Sequence, residues 1–182
     1  MPYHHGDLRR ALLDTALTVI AEHGPVALSL RDVARRAGVS HAAPTHHFKD
    51  KTGLLTALAA EGWGLLADAL ADAAARDGRF SELGVAYVVF AVGHPAHFAV
   101  MRAPGLVRDD DPDLVSARDR AGAALHTESG GGARDATTAL TGWALVHGLS
   151  ALLLEGTVRP DPGADVADLA RRVTTRLTEP PS

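Results

Sequence analysis

Apolar residues recur every three to four positions along almost the whole chain, the period of amphipathic helices rather than strands. Leu8, Leu12, Leu13, Ala16, Val19 and Ile20 define a first helix, which Gly24-Pro25 stops. Ser29 opens a second one. Asp32, three residues on, helps satisfy the free amides of its first turn, and Leu30, Val33, Ala34 and Ala37 form its buried stripe. Gly38-Val39-Ser40 is then a turn, with Gly38 in a left-handed conformation and Ser40 as the cap of a short third helix from His41 to about Phe48. Pro44 falls in the first turns of that helix, where a missing amide does least damage. Asp50 caps a long fourth helix with apolar positions at Leu54, Leu55, Leu58, Leu65, Leu66, Ala69 and Leu70, fraying near Asp77-Gly78.

Beyond residue 79 the same period predicts helices over 83–92, 94–102, 113–128, 134–157 and 164–178. They are separated by a turn at Pro104–Pro112, a flexible break at Ser129-Gly130-Gly131-Gly132 and a turn at Pro160-Asp161-Pro162-Gly163. Val166, Leu169, Ala170, Val173 and Leu177 share one face of the last helix. No strand or repeat is read. The expected fold class is all-α, with about nine helices: a three-helix head over residues 1–50 and a larger helical domain over 51–182.

Composition narrows the function. Cysteine is absent, which removes disulfides, thiolate metal sites and cysteine nucleophiles. The start MPYHHGDLRR has no apolar stretch before its charges, so no signal peptide is expected and the chain reads as cytoplasmic. Between Ala136 and Leu154 there is no Asp, Glu, Lys or Arg, a length that nearly crosses a bilayer. Thr137, Thr138, Thr141, His147 and Ser150 interrupt the run, which favours a helix enclosed by protein and no membrane partner. The net charge is −4, yet residues 1–60 carry +2 and six of the ten histidines. A basic head on an acidic body suits a protein that meets phosphate with one end.

Helix, Gly-Val-Ser turn and short second helix together make a helix-turn-helix, whose second helix fits the major groove of double-stranded DNA. His41, Thr45, His46 and His47 offer donors to base edges or phosphates, and Ala42 and Ala43 are small enough to approach thymine methyls. Two other classes compete. His94 and His97 lie three apart and His147 sits on another helix, the beginnings of a metal-dependent enzyme site, but no acidic residue accompanies them at close spacing. An ordinary helical interaction module without a DNA role is the second. Neither a metal nor a cofactor is expected, and no catalytic residue is assigned.

The run from Tyr3-His4-His5-Gly6-Asp7-Leu8-Arg9, through Leu28-Ser29-Leu30-Arg31-Asp32-Val33-Ala34-Arg35-Arg36-Ala37-Gly38-Val39-Ser40, to His47-Phe48-Lys49-Asp50-Lys51 closely resembles the TetR family of transcriptional regulators. Gly142-Trp143-Ala144-Leu145-Val146-His147-Gly148-Leu149, with His94-Pro95 upstream, is similar to the family's C-terminal domain named for a Trp-His-Gly signature. The resemblance implies a DNA head with Ser29, Arg31, Ser40, His41, Ala42, Thr45, His46 and His47 at the interface, and Lys51 touching phosphate at the start of helix four. It also implies a repressor released from operator DNA by a small molecule. Where the family has a tyrosine that helps hold a phosphate, followed by a basic or aromatic residue before His-Phe, this chain departs with Thr45-His46, which have donors of their own; whether these replace the tyrosine's contact is not legible in the residues.

Tight operator binding by such a head needs two copies, so a homodimer is expected, paired through helices 136–157 and 164–178. Tyr87, Phe90, His94, Phe98, Met101, Trp143 and His147 are the expected lining of an apolar effector pocket with a few polar contacts. The effector, the operator sequence and the regulated genes are not legible in the residues.

Overall fold

In the computed structural model residues 5–126 and 135–176 are described, and among them there are nine α-helices and no strand. Their packing forms two compact units. One holds the chain up to Gly62 together with Pro95–Ser116, and the other holds Trp63–His94 together with the chain from Ala117 onward.

In the first unit, α1 (His5–Ala27) buries Leu12, Leu13, Ala16, Val19 and Ile20 almost completely, the stripe its spacing predicts. Its regular helical geometry breaks at Gly24, whose φ of 76° and ψ of 166° lie outside the helical region, one residue before Pro25. α2 (Leu30–Arg36) is capped by Ser29, whose Oγ accepts the Asp32 amide at 3.2 Å. Asp32 in turn takes the Arg35 and Arg36 guanidiniums at 2.5 and 2.8 Å, and Arg36 reaches back to Glu22 of α1 at 2.6 Å. The turn after α2 satisfies the last carbonyls in pairs. Gly38 donates to Arg35 O and Val39 to Ala34 O, a geometry that needs the left-handed φ of 69° at Gly38.

α3 (Ala42–Phe48) corrects one expectation. Its cap position is His41, with helical φ and ψ, and no side chain caps it, so the Ser40 hydroxyl is not the cap. The Ala43 amide, the donor a Ser40 hydroxyl would take, is bonded to the Ser40 backbone carbonyl at 3.0 Å, and Pro44 has no amide to satisfy. Two buried side chains, Pro44 and Phe48, hold α3 down.

The corner into α4 (Lys51–Arg76) is tight. Lys49 takes a φ of 69° and a ψ of −55°, and the Asp50 amide closes on Phe48 O at 2.9 Å, a γ-turn of the rarer, strained hand. Asp50 Oδ1 accepts the Gly53 amide at 2.8 Å, so Asp50 opens α4 as expected. Leu54, Leu55 and Leu58 are fully buried, and α6 (Pro95–Met101) packs on α1 with Phe98 and Val100 inside. Gly62 lets α6 come close, since a Cβ there would lie 2.8 Å from Met101 Sδ.

In the second unit, Leu66, Ala67, Leu70 and Ala73 form the inward stripe of the rest of α4. α5 (Phe80–Gly93) starts three residues earlier than the apolar pattern suggested, and Tyr87, Val88, Phe90 and Ala91 are buried along it. It packs against both α8 (Ala136–Leu154) and α9 (Val166–Thr175), whose first turns are capped by Asp135 and Asp165. α7 (Pro112–His126) contributes Ala117 and Ala121 to this interior. The expected break at 129–132 and Leu177 lie outside the described residues.

Both α4 and α8 are long and apolar enough, by length and composition, to cross a bilayer. α8 turns Ala139, Gly142, Val146, Leu149 and Ser150 inward, while Leu140, Trp143 and Leu152 are 60%, 39% and 40% exposed. Among the described residues, one side of α8 is therefore enclosed, not several.

Candidate nucleic-acid interface and sensor interior

α3 is anchored by its buried Pro44 and Phe48 and presents His41, Ala42, Thr45 and His46 to solvent, with His47 half-buried. The side chains gather in a small cluster: His46 meets His47 edge-on with centroids 5.4 Å apart, His47 meets Phe48 at a tilt with centroids 6.1 Å apart, and the Arg9 guanidinium lies 5.3 Å over Phe48. The exposed end of this helix thus carries hydroxyl and imidazole groups without any acid, a surface suited to base edges and phosphates.

The flanking cations differ in how free they are. Arg35 and Arg36 are held by Asp32 and Glu22, whereas Arg31, on the same helix, is exposed and makes no ion pair among the described residues. Ser29 and Ser40 are exposed, and the Ser29 hydroxyl that caps α2 keeps its own proton to donate. The Lys51 ammonium donates to Val26 O at 2.5 Å, which fixes it at the junction of α1 and α4 and leaves its other protons for an outside acceptor.

Two residues absent from the sequence reading brace this surface from behind. Arg108 bonds Asp50 at 2.7 Å and its amide donates to Thr56 Oγ1 at 2.9 Å, so the segment after α6 grips both ends of the first turns of α4. The Gly53 amide, aided by the Arg108 guanidinium, holds the Asp50 carboxyl below its ordinary range. Glu61 of α4 bonds Arg10 of α1 at 2.6 Å and His97 of α6 at 2.9 Å, joining three helices inside the first unit. Burial alone would push the Glu61 carboxyl up, but the hydrogen bonds from Arg10 and His97 outweigh it and hold the group below its usual value.

A lowered carboxyl pKa has a definite sign in stability. The contribution of Glu61 is fully present above the unfolded value of about 4.3 and is lost as pH falls through the lower folded value. The difference in melting temperature between the wild type and Glu61→Gln should therefore hold level from pH 6 down to about 5 and then shrink as pH is lowered toward 3. A constant difference over that range would show that the Arg10–Glu61–His97 chain does not form.

The expected effector residues do not fall in one place. Tyr87, Phe90, His94, Trp143 and His147 belong to the second unit, and Phe98 and Met101 to the first. Tyr87 is buried and its hydroxyl pairs with His147 Nδ1 at 2.9 Å, joining α5 to α8. Phe90 is buried beneath a stacked, exposed His94 with centroids 4.9 Å apart. Trp143 packs its ring 5.5 Å from His147 and shows the rest of its surface to solvent beside Leu140. Phe98 is buried under Arg102, and Met101 leans on Gly62.

An apolar crevice of about 20 Å³, room for one water, lies among Leu70, Phe80, Gly84, Tyr87, Gly142 and Thr174. Of these the sequence reading singled out Tyr87 alone as lining. The two glycines were missed because their role is to omit a side chain: a Cβ at Gly142 would meet Phe80 Cζ at 2.3 Å, and one at Gly84 would meet Thr174 Cγ2 at 2.7 Å. Among the described residues no three His, Cys, Asp or Glu side chains group to hold a metal ion. His94 and His97 lie in different units, and His97 and His147 are engaged by Glu61 and Tyr87.

Comparison with known proteins places this geometry. Residues 12–58 match the family model for bacterial regulatory proteins of the tetR family, and residues 80–177 match that for the tetracyclin repressor-like C-terminal domain. The chain belongs to the TetR family of bacterial regulators, which are DNA-binding transcription factors and not enzymes. The C-terminal match is to the tetracyclin repressor-like model, which does not carry over the Trp-His-Gly subtype read from residues 142–149.

Among solved structures, a protein of unknown function from Rhodococcus sp. RHA1 is 35% identical, with a TM-score of 0.72 over 97% of this chain and 96% of that one. The multidrug binding protein EbrR, complexed with imidazole, is 25% identical, with a TM-score of 0.65 over 96% of this chain and 91% of its own. The HTH-type transcriptional regulator BetI of Rhizobium meliloti is 47% identical over 49 residues, 27% of this chain and 24% of its own length. The similarity to BetI thus spans about a quarter of that curated relative.

Proposed function

We propose that this protein is a cytoplasmic homodimeric repressor that binds a palindromic operator through α3 and is released by a small, largely apolar effector. The observation that carries the reading is α3 itself, with Pro44 and Phe48 buried while His41, Ala42, Thr45 and His46 face outward without an acid among them. In this reading residues 1–50 are the DNA head and residues 51–182 sense the effector and dimerise. Ser29, Arg31, Ser40, His47 and Lys51 position the head on phosphates, and the outward residues of α3 read base edges.

The exposed Leu140, Trp143 and Leu152 of α8 are the surface that a second copy covers, with α9 beside it. A two-fold pair sets the recognition helices at least one turn of DNA apart, about 34 Å. Tyr87, Phe90, His94, Trp143 and His147, all of the second unit, are proposed to meet the effector, in keeping with the imidazole held by the similar EbrR. An effector that prefers a different spacing of the heads weakens operator binding by roughly 5–150-fold, a coupling of about 1–3 kcal/mol. α4 is the lever, because it starts at the Lys51 contact and runs on into the second unit.

The test is binding to palindromes from the DNA upstream of the protein's own gene, with salt as the variable. Affinity should fall steeply as salt rises, and Arg31→Ala should reduce the slope of log K against log salt by about one, the signature of a lost phosphate contact. Sedimentation of the same preparation should give a dimer. A 19-kDa species at micromolar concentration, or binding indifferent to salt, would overturn the reading.

A further inference from the structure

Buried polar side-chain atoms in a folded protein almost always find partners, because leaving a donor unpaired away from water costs about 1–3 kcal/mol. The second unit obeys this closely. Tyr87 and His147 pair with each other, Ser150 donates to Val146 O at 2.7 Å, and Thr174 donates to Arg171 O at 3.3 Å. Of the fully buried side-chain nitrogens and oxygens among the described residues, one has no partner: the indole Nε1 of Trp63.

Its place in the fold gives that exception a meaning. Trp63 opens the part of α4 that belongs to the second unit, and it stands three, four and seven residues before Leu66, Ala67 and Leu70. Those spacings put it on the inward stripe of the helix, two turns from Leu70 in the crevice with Tyr87. An indole has a donor and no acceptor, so only a group with a lone pair can answer it.

We infer that the Trp63 indole N–H is the effector's hydrogen-bond donor, and that the effector is an apolar or heteroaromatic molecule bearing one neutral acceptor, such as a ring nitrogen, carbonyl or ether oxygen. The inference rests on the sensing role proposed above. It adds the chemical class of the ligand and a contact on α4. Apolar surface supplies most of the binding, and the acceptor supplies discrimination. A site with a buried donor discriminates against the isostere that lacks the matching acceptor.

Two ring systems of the same shape, quinoline with a ring nitrogen and naphthalene without one, test it on the full-length protein. Quinoline should bind at least tenfold more tightly than naphthalene. The two tryptophan indole N–H resonances of 15N-labelled protein are read in parallel, with Trp63→Phe assigning its own. Quinoline should move the Trp63 resonance downfield and naphthalene should not. Trp63→Phe should keep naphthalene affinity within twofold and lose the preference for quinoline. Equal affinities in the wild type, a Trp63 resonance unmoved by bound quinoline, or a preference that survives in Trp63→Phe would each overturn the assignment while leaving sensing intact. The resonance shift is measured on the wild type, so it decides the matter even if the variant folds poorly. Failure of both probes to bind, together with no release from operator by either, would count against the sensing role and take this inference with it.

Discussion

Gly53→Ala should destabilise the protein by about 3 kcal/mol and abolish operator binding, although the change adds only one methyl group. A Cβ on residue 53 would lie 2.0 Å from Phe48 O and 2.8 Å from an Arg108 nitrogen. The arginine can swing away, but the carbonyl cannot. Phe48 O is fixed by the Asp50 amide in the turn at Lys49, and Phe48 itself is buried as an anchor of α3. Room for the methyl can come only from moving the recognition helix or unwinding the start of α4, and either misplaces the DNA-reading surface. The urea midpoint measures the first effect and operator titration the second. Gly122→Ala is the control, since its Cβ meets nothing within 4 Å, and replacing a helical glycine there should stabilise by about 0.5–1 kcal/mol. A Gly53→Ala midpoint within experimental error of the wild type would show that the corner is looser than this geometry.

The second large effect separates recognition from folding. Thr45 and His46 are exposed, and the buried anchors of α3 are Pro44 and Phe48, so replacing the two exposed residues with alanine should leave the melting temperature nearly unchanged. Specific binding should suffer heavily, because base contacts contribute about 1–3 kcal/mol of discrimination each, roughly 5- to 150-fold. Binding to random duplex should drop far less, since phosphate contacts from elsewhere in the head persist. Measuring both duplexes with the same variant tells the outcomes apart. If preference for the operator survives the double substitution, α3 does not read base pairs through these residues.

The local devices were legible because each is written in a few adjacent residues. The Ser29 cap, the Gly38 corner and the Asp50 cap depend on residue types a few positions apart, and each stands where the pattern put it. Ser40 failed as a cap for an equally local reason that was read too simply: its own carbonyl takes the amide its hydroxyl would have taken, next to a proline that offers none. Helix ends were less legible. α5 begins at Phe80, three residues before the apolar run, because Phe80 is drawn onto the bare face of Gly142 sixty-two residues away.

Long-range chemistry was harder still. Arg108, Arg10 and Glu61 are unremarkable charges in a sequence, and nothing near them in the chain marks Asp50, His97 or Thr56 as their partners. Residue type picks out the set from Tyr87 to His147 as apolar lining with a few polar contacts, a criterion that cannot distinguish a buried Tyr87 from a half-exposed Trp143. Trp63 is aromatic too, and only the burial of its Nε1 with no acceptor nearby sets it apart, which no sequence pattern shows.

Sequence by itself determined the all-helical class, the helix-turn-helix and the residues it exposes, because helical period, caps and turn residues act over four or five positions and leave their mark on the chain. Tertiary structure alone decided which glycines must stay bare, which charges brace the recognition helix and which buried donor is left without a partner. Those depend on distances between residues tens of positions apart, and only the packed interior brings them together.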